Sequence, residues 1–241
     1  MLYNKEIKED KMIKEIMWDI IKCKNVANCY GGCDNNCNCK KIIASQSQKI
    51  INDFQVPEPW NGDIENAKIL FISSNPSIDP NELYPLWDNI KWSKQEIEDF
   101  FINRFNDKWT KNYLHPKLKD GNYRKNYVHF WARIRTYAAD ILNTNRENII
   151  PGKDYAITEL VHCKSKGEEG VEEALNECAN KYFEKIIEIS KAQYYVAIGS
   201  KVKNWFNNRY KVNLMLNEFK TVSINGRDYN FTFKRHPNAR N

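Results

Sequence analysis

The sequence lacks any run of 18 consecutive apolar residues, the length that a membrane-spanning helix requires. Residues 1–22 are charged throughout and lack the apolar centre of a secretory signal peptide. Internal repeats and low-complexity tracts are also missing. We therefore expect a cytoplasmic protein with no membrane span.

The composition excludes an intrinsically disordered chain. Of 241 residues, 41% are hydrophobic and 13% are aromatic, which is ample for a buried core. The 37 Lys and Arg residues outnumber the 31 Asp and Glu residues, for a net charge of +6. This small excess is compatible with a nucleic-acid partner but does not establish one.

Apolar periodicity predicts helices that alternate with short strands. The predicted helices are 8–22, 40–52, 94–105, 128–142, 170–191 and one after Gly199. The predicted strands are 68–72, 155–161, 194–198, 219–224 and 229–233. The last two flank Asn225-Gly226, which is typical of a type I′ hairpin, although either run is also a candidate parallel strand. Segment 23–39, rich in Asn and Gly, is predicted to be a loop.

This alternation predicts a three-layer α/β/α fold with a mostly parallel central sheet. We expect one domain over residues 1–241, with a helical N-terminal part (1–55) and an α/β core (56–241). In such sheets ligands bind beyond the carboxyl ends of the strands. Asn75, Glu159 and His236 all follow or end predicted strands, so they are the first candidates for a binding site.

Seven cysteines in a cytoplasmic protein favour metal ligation or buried thiols over disulfides. Cys163 follows a strand, and Cys178 lies fifteen residues later in a helix. The other five occur within seventeen residues: Cys23, Cys29, Cys33, Cys37 and Cys39. Four thiolates from these segments would suit a [4Fe–4S] cluster or a structural zinc ion. The alternative is that Cys163 and Cys178 are simply small core residues.

Three segments together resemble the uracil-DNA glycosylase superfamily, in its iron–sulfur (four-iron) type. They are 69–77 (ILFISSNPS), 158–163 (TELVHC) and 233–240 (FKRHPNAR). The resemblance runs from about residue 69 to the C-terminus and includes the N-terminal cysteines. It implies a four-stranded, mostly parallel sheet and a monofunctional DNA glycosylase that hydrolyses an N-glycosidic bond with water. The implied partner is DNA, with no obligate protein partner and a monomer as the default.

The resemblance also implies a structural [4Fe–4S] cluster rather than zinc. Cys163 and Cys178 match two of the family's ligands. The family's tight Cys-x-x-Cys pair is missing here, and Cys23 and Cys39 match its place best. Cys29, Cys33 and Cys37 remain alternative ligands.

The family's catalytic residues have counterparts in this chain. Asn75, in the Asn-Pro-Ser segment, is similar to an Asn of the mismatch-specific and thymine-DNA glycosylases that positions the attacking water. The four-iron enzymes often carry a Glu or Asp nearby instead, and Asp79 is a nearby carboxylate that could share that role. His236 matches a His that donates a hydrogen bond to O2 of the departing pyrimidine. Taken without the resemblance, Asn75-Pro76 is an ordinary turn and His236 a solvated residue near the chain end.

Glu159 departs from the family, because uracil-removing relatives typically carry Asn there. A carboxylate repels O4 of uracil and accepts from the N4 amine of cytosine, so we expect a modified cytosine, as in defence against phage. The alternatives are a protonated Glu159 that still binds uracil, as in ordinary repair, or a catalytically silent DNA-binding module. The remaining predicted substrate contacts are Ser74, Ser77, Tyr84, Trp87, Asn238 and Arg240. Further candidates are Trp60 and Trp92 for stacking on the base, and segment 108–125 with Arg235 for DNA phosphates.

Overall fold

The structure is a computed structural model that describes residues 2–30, 37–46, 51–88 and 91–239, without the side chains of residues 2–9. The helices are α1 (Leu2–Ile21), α2 (Lys24–Tyr30), α3 (Lys40–Ala44), α4 (Lys94–Ile102), α5 (His129–Leu142), α6 (Val171–Ile189) and α7 (Gly199–Tyr210). The strands are β1 (Ile69–Ser73), β2 (Thr110–Lys111), β3 (His115–Pro116), β4 (Tyr155–Glu159), β5 (Tyr194–Ile198), β6 (Lys220–Ile224) and β7 (Arg227–Lys234). Among the described helices, none has the length and apolarity needed to cross a membrane.

The central sheet has the strand order β4-β1-β5-β7-β6. Its first four strands are parallel, and β6 pairs antiparallel with β7. The prediction of a mostly parallel sheet is confirmed, but a count of four strands is one too low. Both runs beside Asn225-Gly226 join the sheet, and these two residues have the positive φ angles, 51° and 76°, that a type I′ turn requires.

Alternate strand residues point to opposite sides of the sheet, so each face presents apolar side chains, and helices cover both faces. Ile69, Phe71 and Ile157 pack with α5 in one apolar core. Leu70 and Ile72 face a larger core that includes residues of α1, α4, α6 and α7. The architecture is therefore an α/β fold consistent with three layers.

The N-terminal part differs from the sequence-based prediction. Residues 24–30 form α2 rather than a loop, since Val26 is fully buried and gives this segment an apolar anchor. Helix α3 ends at Ala44 instead of continuing to residue 52, and residues 51–53 form a separate 3-10 turn. Residues 31–36 and 47–50 lie outside the described part of the chain.

An irregular segment over residues 55–62 runs along the outer edge of β4. The backbone N–H of Asn61 donates to the carbonyl of Ile157 at 2.8 Å, and the reverse bond measures 2.9 Å. The N–H of Glu58 donates to the carbonyl of His162 at 2.8 Å. This pairing holds residues 58 and 61 beside the carboxyl end of β4.

Gly170, the residue before α6, packs against the backbone of α3. It has φ = 76°, and a Cβ built there would lie 2.2 Å from the backbone nitrogen of Ile42 and 2.6 Å from its Cα. We predict that Gly170→Ala lowers the free energy of unfolding by ~3 kcal/mol or more, because backbone strain and a backbone clash add together. Urea denaturation measures the loss.

The matched control is Gly121→Ala. Gly121 has a similar φ of 86° but nothing within 4 Å of the added Cβ. We expect this variant to lose only the ~1 kcal/mol cost of a left-handed alanine. Equal losses in the two variants would contradict the proposed contact between α3 and the start of α6.

Candidate functional site

A cavity of about 780 Å³ lies at the carboxyl ends of the parallel strands. The register of β1 and β4 sets Ser73 opposite Glu159, and His236 follows β7. The cavity gathers most of the predicted site residues: Ser74, Asn75, Ser77, Asp79, Glu159, His236 and Asn238. Three loops that are far apart in sequence thus meet at one place, as the strand-end argument anticipates.

Asn75 is held with its amide group fixed. Its Nδ2 donates to the carbonyl of Pro76 at 2.9 Å and to Oγ of Ser165 at 2.8 Å. These bonds use both amide hydrogens, which leaves Oδ1 as the acceptor for a further donor. An amide oxygen fixed in this way can orient a water molecule.

His236 is half-buried in the lining of the same cavity, next to Gly199. Its Nδ1 accepts the backbone N–H of Asn238 at 3.2 Å, so the ring proton resides on Nε2. Burial lowers the pKa of His236 below its usual value, which favours this neutral donor form. The ring lies 5.6 Å from that of Phe130, centroid to centroid.

Glu159 is buried at the cavity floor, with 4% of its surface exposed. Its Oε1 accepts a 3.3 Å hydrogen bond from Oγ of Ser73, and its Oε2 has no partner within the described residues. Burial, and secondarily the negative charge of Glu58, raises the pKa of Glu159 well above its ordinary range. The carboxyl group therefore keeps its proton to a higher pH than an exposed glutamate does.

A buried cluster of charged residues lines part of the cavity and was not predicted from the sequence. It consists of Glu58, Glu82, Arg104 and Lys164, all lining residues of the cavity. Arg104 pairs with Glu82, while Nζ of Lys164 lies 3.2 Å from Glu82 and 3.7 Å from Glu58. Burial lowers the pKa of Lys164 to about 8 and that of Arg104 to about 10.

Nothing in the local sequence marks these four residues. Glu58 stands between two prolines, Arg104 follows a helix, and Lys164 lies next to a cysteine. Charged residues at such positions are usually solvated. Only the tertiary contacts among four separate segments reveal the cluster.

The remaining predicted polar contacts within the described residues also line the cavity. Oδ1 of Asp79 accepts the backbone N–H of Asn81 at 2.9 Å, and its Oδ2 lies 3.9 Å from Arg124. Oγ of Ser74 donates to Glu168 at 2.5 Å. Arg240 lies outside the described residues.

The aromatic residues predicted to stack on a base do not line the cavity. Tyr84 is buried in the core with its hydroxyl donating to Glu58, and Trp87 packs on the core beneath Lys22. Trp60 is fully buried, and Trp92 stacks on Trp109. The aromatics that do line the cavity are Tyr127, Phe130 and Trp131. Helix α5 was predicted, but its apolar periodicity does not tell which of its rings faces a cavity.

The four cysteines favoured as ligands surround a second, small cavity. Cys23, Cys39, Cys163 and Cys178 all line it, together with His162 and Lys181. Burial raises the pKa of Cys39 to about 12 and also raises those of Cys163 and Cys178. Metal ligation would therefore have to displace thiol protons.

Two further cysteines lie apart from this cavity lining. The sulfurs of Cys29 and Cys37 are 2.6 Å from each other, and Cys33 is outside the described residues. Over the described ranges, no three Cys, His, Asp or Glu side chains stand close enough together to ligate a single metal ion. The donor set around the small cavity, four thiols from four segments, is nevertheless of the kind that an iron–sulfur cluster requires.

Comparisons with known proteins do not assign this site. A scan against protein-family models and a search of curated proteins each found no match.

The proton on Glu159 yields a prediction about stability. A carboxyl whose pKa is higher in the folded than in the unfolded state stabilises most at low pH, and this contribution is lost as pH rises toward the folded value. We predict that Glu159→Gln becomes progressively more stable than the wild type above about pH 5, by at most ~1.4 kcal/mol per pH unit. Urea denaturation from pH 4 to pH 8 measures the difference.

The control is Glu218→Gln, at an exposed glutamate. We expect its stability difference from the wild type to be small and independent of pH. A Glu159→Gln difference that stays flat, or that shrinks as pH rises, would contradict a raised pKa of Glu159 in the fold.

Proposed function

We propose that this protein is a monofunctional DNA glycosylase that flips a pyrimidine, of modified-cytosine type, out of DNA and hydrolyses its N-glycosidic bond. The observation that carries the proposal is the convergence of Asn75, Glu159 and His236 on one cavity. The motifs around these residues resemble those of iron–sulfur uracil-DNA glycosylases, and defence against phage DNA is a fitting role.

The proposed chemistry begins with charge separation. As the glycosidic bond breaks, negative charge develops on the base and positive charge on the sugar. Nε2–H of His236 donates to O2 of the departing base, where a preorganised donor stabilises the developing charge. Oδ1 of Asn75 orients a water molecule that bonds to the anomeric carbon of the sugar, with Asp79 as a nearby carboxylate. The water gives up one proton as this bond forms, and the released base anion takes up a proton from solvent.

The flipped base needs an apolar face on which to stack. Phe130 takes this role in our proposal, because its ring lies beside His236 in the same cavity. It replaces Tyr84 and Trp87, whose positions in or against the core exclude them.

The DNA backbone would follow the exposed basic residues beside the cavity. Arg124 and Lys125 are exposed on the segment that leads to α5, and Arg124 lines the cavity. Cationic side chains at the mouth would bind phosphates without reading sequence. The protein then acts as a monomer on DNA.

The cluster proposal assigns Cys23, Cys39, Cys163 and Cys178 as ligands of a structural [4Fe–4S] cluster, with zinc as the alternative. When bound, the cluster would crosslink the N-terminal helices to β4 and α6. The chain's own contribution is to bring these thiols together around the small cavity. Cys163 lies only four residues beyond Glu159, so the cluster would be close in sequence to the proposed base-binding residue.

One observation favours a second candidate, uracil removal in repair. The raised pKa of Glu159 keeps a proton on a carboxyl that then offers both a donor and an acceptor. In that form Glu159 can pair with O4 and N3–H of uracil as an amide does. A catalytically silent DNA-binding module has no comparable support.

A substrate panel tests the activity. We predict that the purified protein generates abasic sites in duplexes that contain hydroxymethylated or glucosylated cytosine, and far fewer in duplexes with uracil or hypoxanthine. Release of uracil alone would favour the repair enzyme, and no release from any duplex would contradict the glycosylase.

Two variants test the catalytic residues. Asn75→Ala and His236→Ala should each lower base release by at least ~100-fold, because each removes a group that acts in the transition state. DNA affinity should stay within about threefold of the wild type, as measured by fluorescence anisotropy. Equal losses of binding and release would instead assign both residues to DNA binding.

Metal content tests the cluster. We predict that protein purified without oxygen is coloured and contains iron, and that Cys163→Ala loses both the visible absorbance and the iron. Cys29→Ala is the control, since Cys29 does not line the small cavity, and it should keep both. A colourless wild type that contains zinc would replace the cluster with the alternative.

A further inference from the structure

Asn61 is a buried residue of the cavity to which no role has been assigned above. Its backbone pairs with Ile157 in both directions, two residues before Glu159, at the edge of the sheet. Only 2% of its surface is exposed, and its side chain lines the same cavity as Glu159.

Glu58 fixes the orientation of the Asn61 amide. Nδ2 of Asn61 donates to Oε1 of Glu58 at 2.5 Å. Oε2 of Glu58 accepts from the hydroxyl of Tyr84 at 3.1 Å and lies 3.7 Å from Nζ of Lys164. Because a carboxylate surrounded by donors only accepts, the NH₂ group of Asn61 must face Glu58.

This orientation leaves Oδ1 of Asn61 as a buried acceptor with no partner among the described residues. Oε2 of Glu159, a residue that lines the same cavity, also has no partner among the described residues. Buried polar atoms are nearly always hydrogen-bonded in folded proteins. An acceptor left unpaired on a residue that lines a cavity indicates a ligand that brings an N–H donor, and the unpaired Oε2 of Glu159 offers that ligand a second polar contact.

We propose that Asn61 is a specificity-determining residue that accepts a hydrogen bond from an exocyclic amino group of the flipped base, next to Glu159, and that Glu58 is the positioning residue that holds it. The inference rests on the proposed glycosylase function and narrows its substrate class to amine-bearing bases such as cytosine derivatives.

Asn61 distinguishes a base with an exocyclic amino group from a base with a carbonyl oxygen at that position, whereas Glu159 alone does not. A carbonyl oxygen in place of the amino group, such as O4 of uracil, would face the lone pairs of Oδ1 of Asn61 and be repelled by them. The amide cannot rotate to relieve this, since rotation would turn Oδ1 against Glu58. A protonated Glu159, by contrast, suits either base by changing which oxygen carries the proton.

The decisive test compares two duplexes that are identical except for this group. One contains 5-hydroxymethylcytosine and the other 5-hydroxymethyluracil at the same position, and base release is measured in single-turnover reactions. We expect the wild type to prefer the cytosine derivative by at least ~100-fold, because a site that pairs with a substrate N–H rejects the analogue without it. In Asn61→Ala this ratio should fall by at least ~10-fold.

Asn213→Ala is the matched control, at an exposed asparagine in the loop after α7. Its ratio should equal that of the wild type. Glu58→Gln gives an independent readout, since the side-chain amide that it introduces can donate to Oδ1 of Asn61 and allow the Asn61 amide to rotate. We expect this variant to gain activity on the uracil derivative, which a loss of folding cannot produce.

The outcomes separate the two proposals. If the wild type releases no base from any duplex, the glycosylase function fails and this inference fails with it. If it releases bases but prefers the uracil derivative, or if folded Asn61→Ala keeps the wild-type ratio, only the role of Asn61 is overturned.

Discussion

The parallel pairing of β1 with β4 is the constraint on which the rest of the candidate site depends. It sets Ser73 opposite Glu159, and both strands therefore leave the sheet at the same edge. The loop that carries Asn75 then bonds to Ser165 beyond β4. A shift of one residue in this register would turn Glu159 to the other face and separate it from the cavity.

The buried charged cluster is the second constraint, and it explains why polar residues can occupy the cavity floor. Arg104 and Lys164 offset the carboxylates of Glu82 and Glu58, so that the burial of each charge is compensated by a close partner. Burial, and secondarily the negative charge of Glu58, raises the pKa of Glu159. One fold thus holds neighbouring glutamates in different electrostatic environments.

The small cavity lined by the four cysteines and the cavity that holds Glu159 both border the short segment 159–164. Nδ1–H of His162 donates to the carbonyl of Glu58, and the His162 ring lines the small cavity. Glu159 begins this segment and Lys164 follows Cys163 directly. Any group bound by the thiols would therefore brace the backbone that presents the cavity floor.

The sequence by itself determined the elements whose signals are local. Apolar runs identified β1, β4 and β5, and Asn225-Gly226 identified the hairpin, because these patterns depend only on neighbouring residues. The strand ends identified Asn75, Glu159 and His236 as candidates. The four cysteines that the family resemblance favoured as ligands all line one cavity. Tertiary structure alone decided that both hairpin strands join the central sheet, and it alone decided helix α2, the aromatics of the cavity and the cluster of Glu58, Glu82, Arg104 and Lys164. Each of these depends on contacts between segments that are distant along the chain, and the burial that defines them leaves no trace in local periodicity.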